Sequence, residues 1–401
     1  MPHRKSIIEN RNLQLIFGVT LVAVMGVASI TPAFPEVIQY FHITARQVGW
    51  LIVSFTLPGI FLTPLTGILA DRLGRKVILI PSLVLFGLAG FACFFVRDFY
   101  WLLLLRFVQG VGASSLASIN ITLIGDLFSG NDRVAAMGYN ASVLSIGTAS
   151  YPAIGGLLTV MGWQFVFLLP ILSVPLAILV LLYLHNPEPA GQTTLSTYFS
   201  NVWQTVNRKI VWGLFGANIL LFVILYGAYL TYFPLLLRSR LDSGSVIIGG
   251  AMSLMSAVTA LTSFQMPRIN RLLSPKKQLL FASMFYLVSM LILGRSFNWG
   301  SIITGIVVFG LGHGVLIPAL QNMMVGLASI QERAAFMSLN SMVLRVGQTL
   351  GPLLIGVFYE FGGIRTAFAG GAAVAVLMFL LILILVNPSK EDAVTQKSKA
   401  G

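Results

Sequence analysis

Two arginines, Arg106 and Arg345, stand deep inside long apolar stretches, where a permanently charged guanidinium is costly and marks a working residue. Gln109 follows Arg106 by one helical turn and can satisfy part of it. Asn140 and Asn340 are also flanked by apolar residues and are expected to face inward and hydrogen-bond. His313 is the one centrally placed side chain that titrates near neutral pH, so it reads either as a proton carrier or as a packed, hydrogen-bonding ring. Asn218, Phe222, Tyr226, Tyr229 and Phe233 fall on one face at i, i+3, i+4 spacing, giving an aromatic stripe with polar tips suited to an amphipathic guest or to helix packing. No H-E-x-x-H, phosphate-binding loop or cluster of metal-ligating side chains occurs in the sequence. Bond-breaking chemistry, a cofactor, a metal and ATP-driven work are therefore not expected. The single cysteine, Cys93, reads as a small core hydrophobe.

The elements that hold these residues follow from composition. The chain has 401 residues, of which 57% are hydrophobic and 9% charged, against about 25% charged in a soluble domain. So little charge cannot cover a water-facing surface. Apolar runs long enough to cross a bilayer recur along the chain, and in lipid they must be helices or a closed barrel. The runs are too long and continuous for barrel strands. About twelve spans result: residues 13–31, 47–69, 77–96, 100–124, 135–160 and 164–184, then 210–236, 245–267, 276–294, 300–326, 334–360 and 364–386. The expected organisation is a six-helix bundle over 1–184, a polar linker over 185–209, a second six-helix bundle over 210–386 and a polar tail over 387–401.

The net charge of +13 would suggest nucleic acid in a soluble protein, but its placement indicates a membrane. Arg72, Arg75, Lys76, Arg208, Lys209, Arg268, Arg271, Lys276 and Lys277 fall on one side of the spans, with the fewer Arg46, Arg97, Arg238, Arg240, Arg295 and Arg365 on the other. The positive-inside rule then puts both termini in the cytoplasm. The acids lie near the ends of the spans, none at mid-membrane. Asp126 and Glu36 join His313 as candidate proton carriers. The interior is expected to be electropositive, so that a guest with a negative or strongly electronegative group would face Arg106 or Arg345.

A constant offset of 200 aligns the two halves. It pairs Gly110 and Gly112 with Gly310 and Gly312, Arg133 with Arg333, Met137 with Met337, Asn140 with Asn340, Gly147 with Gly347, Pro152 with Pro352 and Gly156 with Gly356. Parallel repeats of this kind place a binding site near the bilayer midplane. Pro152 and Pro352 are expected to bend their helices beside closely packing glycines, including Gly147, Gly156 and Gly351, as a hinge would.

Three motifs carry a family resemblance. Gly67-Ile-Leu-Ala-Asp71-Arg72-Leu-Gly74-Arg75-Lys76, between the second and third spans, matches the loop signature of the major facilitator superfamily. Span four reads Arg106-x-x-Gln109-Gly110-x-Gly112, similar to that superfamily's motif in proton-coupled members. Span five reads Gly147-x-x-x-Tyr151-Pro152-x-x-Gly155-Gly156, where antiporters carry Gly in place of Tyr151. The chain thus resembles the drug:proton antiporter branch with twelve spans. The resemblance implies an all-α membrane protein of two pseudo-symmetric six-helix bundles that exports drugs or metabolites by proton antiport with alternating access. It also implies a conformational latch of Gly67, Asp71, Arg72, Gly74 and Arg75 with Asp126. Unlike many members, span one carries no carboxylate. That leaves a dedicated exporter, flippase or symporter for one endogenous, anionic compound as the alternative. The expected partners are the lipid bilayer of a bacterial cell (inner) membrane, an amphipathic small molecule of open charge, and a proton as coupling ion, with no nucleic acid.

Overall fold

The computed structural model describes residues 7–185, 207–327 and 333–386. Most of the expected linker, the tail over 387–401 and the side chains of Asp71, Arg333, Ala334, Ala335 and Ser338 lie outside the described set. Among the described residues there is no strand, and eleven helices are long and apolar enough to cross a membrane. They are α1 (Arg11–Phe41), α2 (Trp50–Leu73), α3 (Arg75–Ala92), α4 (Phe99–Leu127), α5 (Gly130–Thr159), α6 (Trp163–Tyr183), α7 (Lys209–Leu241), α8 (Ser245–Phe264), α9 (Pro275–Arg295), α10 (Trp299–Leu327) and a final run, Arg333–Leu385. That run breaks at Gly362 and Gly363. Gly363 has φ +70, a conformation that suits glycine. The break divides it into α11 (333–361) and α12 (364–385), which completes twelve spans.

Local sequence explains several ends. Asp98 caps α4, accepting from the amides of Tyr100 and Trp101. Gly74 takes φ +97 between α2 and α3, turning the chain so that Arg75 opens α3 as a buried side chain. Arg133 Nε and Nη2 reach the carbonyls of Phe128 and Gly125 at 2.9 and 2.6 Å, satisfying the C-terminal end of α4.

The described residues form two compact units. The first comprises α1–α6 with Asp242–Ser253, the opening of α8; the second comprises α7, the rest of α8 and α9–α12. Each is packed in the same way. A Cβ on Gly112 would meet Phe86 N at 2.6 Å and Ser82 O at 2.8 Å, and one on Gly312 would meet Phe285 Cβ at 2.9 Å and Ala282 O at 3.1 Å. Only glycine allows these helices so close. Lys76 Nζ donates to Leu184 O at 3.2 Å in the first unit, and Lys276 Nζ to Leu383 O at 2.9 Å in the second. Each lysine offers positive charge to the carbonyl end of its unit's last helix. The offset of 200 read from the sequence is therefore also an offset in packing.

Candidate functional site

Arg106 is sealed inside the first unit at 1% exposure. Its Nη1 donates to Gln109 Oε1 at 2.7 Å, its Nε to Leu51 O at 3.3 Å, and its guanidinium lies 4.3 Å from the centroid of the Phe55 ring. The ring face supplies the attraction a carboxylate would otherwise give. Arg106 Nη2 and Gln109 Nε2 are buried without a partner among the described residues. An arginine held this way is a strained, charged joint between α4 and α2 rather than an open binding group.

Asn140 lies in a second polar cluster of the same unit. Thr20 Oγ1 donates to Asn140 Oδ1 at 2.5 Å, and Asn120 Nδ2 donates to Thr20 Oγ1 and, at 3.0 Å, to Ile16 O. The cluster joins α5, α1 and α4. In the second unit the repeat mate Asn340 accepts from Asn218 Nδ2 at 2.7 Å, joining α11 to α7.

At one end of the first unit, Arg75 Nε donates to Asp126 Oδ2 at 3.0 Å. Arg72 is exposed and Gly67 half-buried on α2. The Asp71 part of the expected latch lies outside the described side chains. In α5, which contains Pro152, Gly147 packs against Leu21. The Ala153 amide beside Pro152 donates to Ser253 Oγ at 3.1 Å, and Ser245 Oγ donates to Gly156 O at 3.0 Å. In α11, Gly351 approaches Gly227 N and Val223 O, with Cβ distances of 2.8 and 3.0 Å, and Pro352 is buried beside it.

The stripe expected along α7 does not hold as one face. Ile224–Tyr232 is a π-helix, and its wider turn breaks the i, i+3, i+4 register on which that face was drawn. Asn218 pairs with Asn340, and Phe222 and Tyr226 stay half-buried with ring centroids 5.9 Å apart. Tyr229 instead turns into the core at 0% exposure. It stacks on Phe233 at 4.9 Å and on Phe309 at 4.7 Å.

His313 is buried on α10, where its Nδ1 is hydrogen-bonded to Tyr286 Oη on α9 and its ring stacks against Phe309. Arg345 is half-buried on α11 and donates from Nη1 to Gln348 Oε1 at 3.2 Å. Sequence reasoning did not single out Thr20, Asn120, Tyr286 or Gln348. The offset of 200 signals Tyr286, which stands where the first half has Phe86, and Arg345–Gln348 repeats the spacing of Arg106–Gln109. Thr20 and Asn120 carry no such mark.

Comparison with known proteins agrees with this architecture. The family model of the Major Facilitator Superfamily matches residues 16–296 and 248–401. The chain is 24% identical over 360 residues to the quinolone resistance protein NorA of Staphylococcus aureus (strain Mu50 / ATCC 700699), covering 88% of this chain and 90% of that one. It is 32% identical over 160 residues to the bacillibactin exporter of Bacillus subtilis (strain 168), covering 38% and 40%. The crystal structure of a D-xylose–proton symporter superposes with a TM-score of 0.76 at 14% identity, covering 96% of this chain and 99% of that one.

Proposed function

Because this chain belongs to the major facilitator superfamily, and so is a multi-pass membrane transporter of small molecules rather than an enzyme, we propose that it exports amphipathic compounds in exchange for protons. Its two six-helix halves, 1–184 and 210–386, would expose a central site alternately to each side of the membrane. The observation that carries the reading is Arg106. A guanidinium buried between Gln109, the Leu51 carbonyl and the Phe55 ring, with no carboxylate among these partners, is costly to keep in a span and marks a working residue whose cost depends on how α4 packs on α2. It does so in the motif that resembles proton-coupled members. The relatives named for quinolone resistance and for bacillibactin export support the outward direction.

In this reading Arg75 and Asp126 form the latch, Pro152 with Gly156 and Pro352 with Gly351 form the bends, and Asn140, Asn218, Asn340, His313 and Arg345 line or tune the path. The many Lys and Arg residues of alternate loops support a cell membrane location with both termini in the cytoplasm. One charge moving down 100 mV supplies about 2.3 kcal/mol, enough for uphill export of a small molecule.

A second reading, a dedicated carrier for one endogenous anionic compound, is favoured by one observation. Residues Arg11–Ala28 of α1 contain no carboxylate, while both mid-span charged groups are arginines. Everted membrane vesicles test the main reading: substrate uptake should collapse when a protonophore is added, and uptake indifferent to it removes proton antiport.

A further inference from the structure

The two mid-span arginines are not equivalent. Arg106 is closed off by Gln109, Leu51 and Phe55 at 1% exposure. Arg345 is half-buried and open: beyond its bond to Gln348 Oε1, its N–H groups donate to no described residue. Among the described residues no carboxylate is paired with it. In the second unit α9, α10 and α12 contain no acid at all, α7 contains none, and the acid of α11, Glu360, stands near that helix's far end. A cation without a counter-charge at this depth is costly, and, with no ring face among the described residues lying against it as Phe55 lies against Arg106, an anionic group is the partner that would relieve it most.

The surroundings suit an anion that carries a ring. Gln348 accepts from Arg345 through its oxygen, which leaves its amide N–H groups as donors. The Tyr226 hydroxyl lies within electrostatic reach of the Arg345 guanidinium. The half-buried Phe222 ring continues the surface from Tyr226. Backbone packing of Gly227 on Gly351 brings α7 close enough to α11 for this meeting. The π-helix contributes as well. Its Thr231 Oγ1 donates to Tyr226 O at 2.7 Å, fixing the wide turn that leaves Tyr226 half-buried while Tyr229 enters the core. Such π segments cluster at functional sites because they cost helix stability.

We infer that Arg345, with Gln348, Tyr226 and Phe222, seats the anionic group and adjoining ring of the transported molecule, so that the substrate class is the aromatic carboxylates and sulfonates. The assignment rests on the reading of this chain as a carrier of amphiphiles. It does not rest on proton coupling.

Equilibrium calorimetry on the purified full-length protein tests it with naphthalene-1-sulfonate and its cationic counterpart, naphthalen-1-ylmethylammonium. The native protein should bind the sulfonate at least fivefold more tightly than the ammonium. Arg345→Gln should weaken sulfonate binding at least fivefold, and Arg345→Lys, which keeps the charge but not the planar fork, by less. Thermal unfolding of each variant establishes that it is folded, and Tyr226→Phe, with about twofold or greater weakening, provides a second readout. Equal or tighter binding of the ammonium, no binding of the sulfonate, or an Arg345→Gln protein within fivefold of native overturns the assignment. Sulfonate binding that depends on Arg345 but is never driven by a pH gradient leaves the assignment standing and removes proton antiport instead.

Discussion

Arg75 Nε donates to Asp126 Oδ2 across 3.0 Å, tying the first residue of α3 to the last turn of α4. An aspartate at a helix C-terminus is opposed by the helix dipole, so Asp126 needs this cation. The aspartate side chain is 34% exposed, which limits the pair's static worth to about 1 kcal/mol or less. As the proposed latch, the pair would have its leverage in conformational balance. Arg75→Ala is expected to lower the initial transport rate several-fold with little loss of thermal stability. Exchanging the charges, Arg75→Asp with Asp126→Arg, should recover part of it. A full-rate Arg75→Ala protein in proteoliposomes would exclude a latch here.

The setting of Arg106 predicts that charge alone is insufficient. Lysine cannot reach Gln109 and the Leu51 carbonyl while lying flat on Phe55. Arg106→Lys should therefore reduce transport about tenfold or more, and Phe55→Leu by a smaller factor through loss of the ring face, on the order of 1 kcal/mol. Rates at equal membrane insertion, read against the native chain, decide the matter. Unchanged transport by Arg106→Lys contradicts the role proposed for the guanidinium.

Helix spacing predicts a contrast between two glycines. Gly112→Ala presses a methyl on the Phe86 amide and the Ser82 carbonyl, both backbone, whereas nothing lies within 4 Å of a Cβ on Gly138. Overpacking of this kind costs about 1–3 kcal/mol. The yield of folded protein and its Tm should fall for Gly112→Ala and hold for Gly138→Ala. Equal behaviour of the two would show that α3 and α4 are less closely packed than described.

Asn218 and Asn340 form a buried amide pair between α7 and α11. Interhelical hydrogen bonds in membranes average about 0.6 kcal/mol and reach about 1.7. A double-mutant cycle with Asn218→Ala and Asn340→Ala, read from reversible unfolding in mixed detergent, should give a coupling energy in that range. Strict additivity would mean the bond is not made.

Much of this molecule is legible in its sequence because lipid leaves the chain few options. Apolar runs of bilayer length became α1–α12, and Gly362 and Gly363 mark the break that one continuous hydrophobic run conceals. The repeat was legible because packing glycines such as Gly112 and Gly312 tolerate no substitute at that separation. The pairing of Arg75 with Asp126 followed from the loop signature. The α7 face failed because periodicity presumes an α-helix, and nothing in Ile224–Tyr232 announces a π turn. The grouping of Asp242–Ser253 with α1–α6 depends on contacts such as Ser245 with Gly156, between positions far apart in the chain. Likewise Thr20 meets Asn140 and Asn120 only once three helices are assembled.

In the proposed function the protein exchanges an outgoing amphiphile for an incoming proton. Proteoliposomes holding the purified protein, a trapped pH-sensitive dye and an imposed pH gradient with no ATP test it directly. Addition of a transported compound should dissipate the gradient at a rate that follows the compound's own movement, and Arg106→Lys should slow both together. Substrate movement at the same rate with and without the gradient, and with no proton flux, would contradict the account.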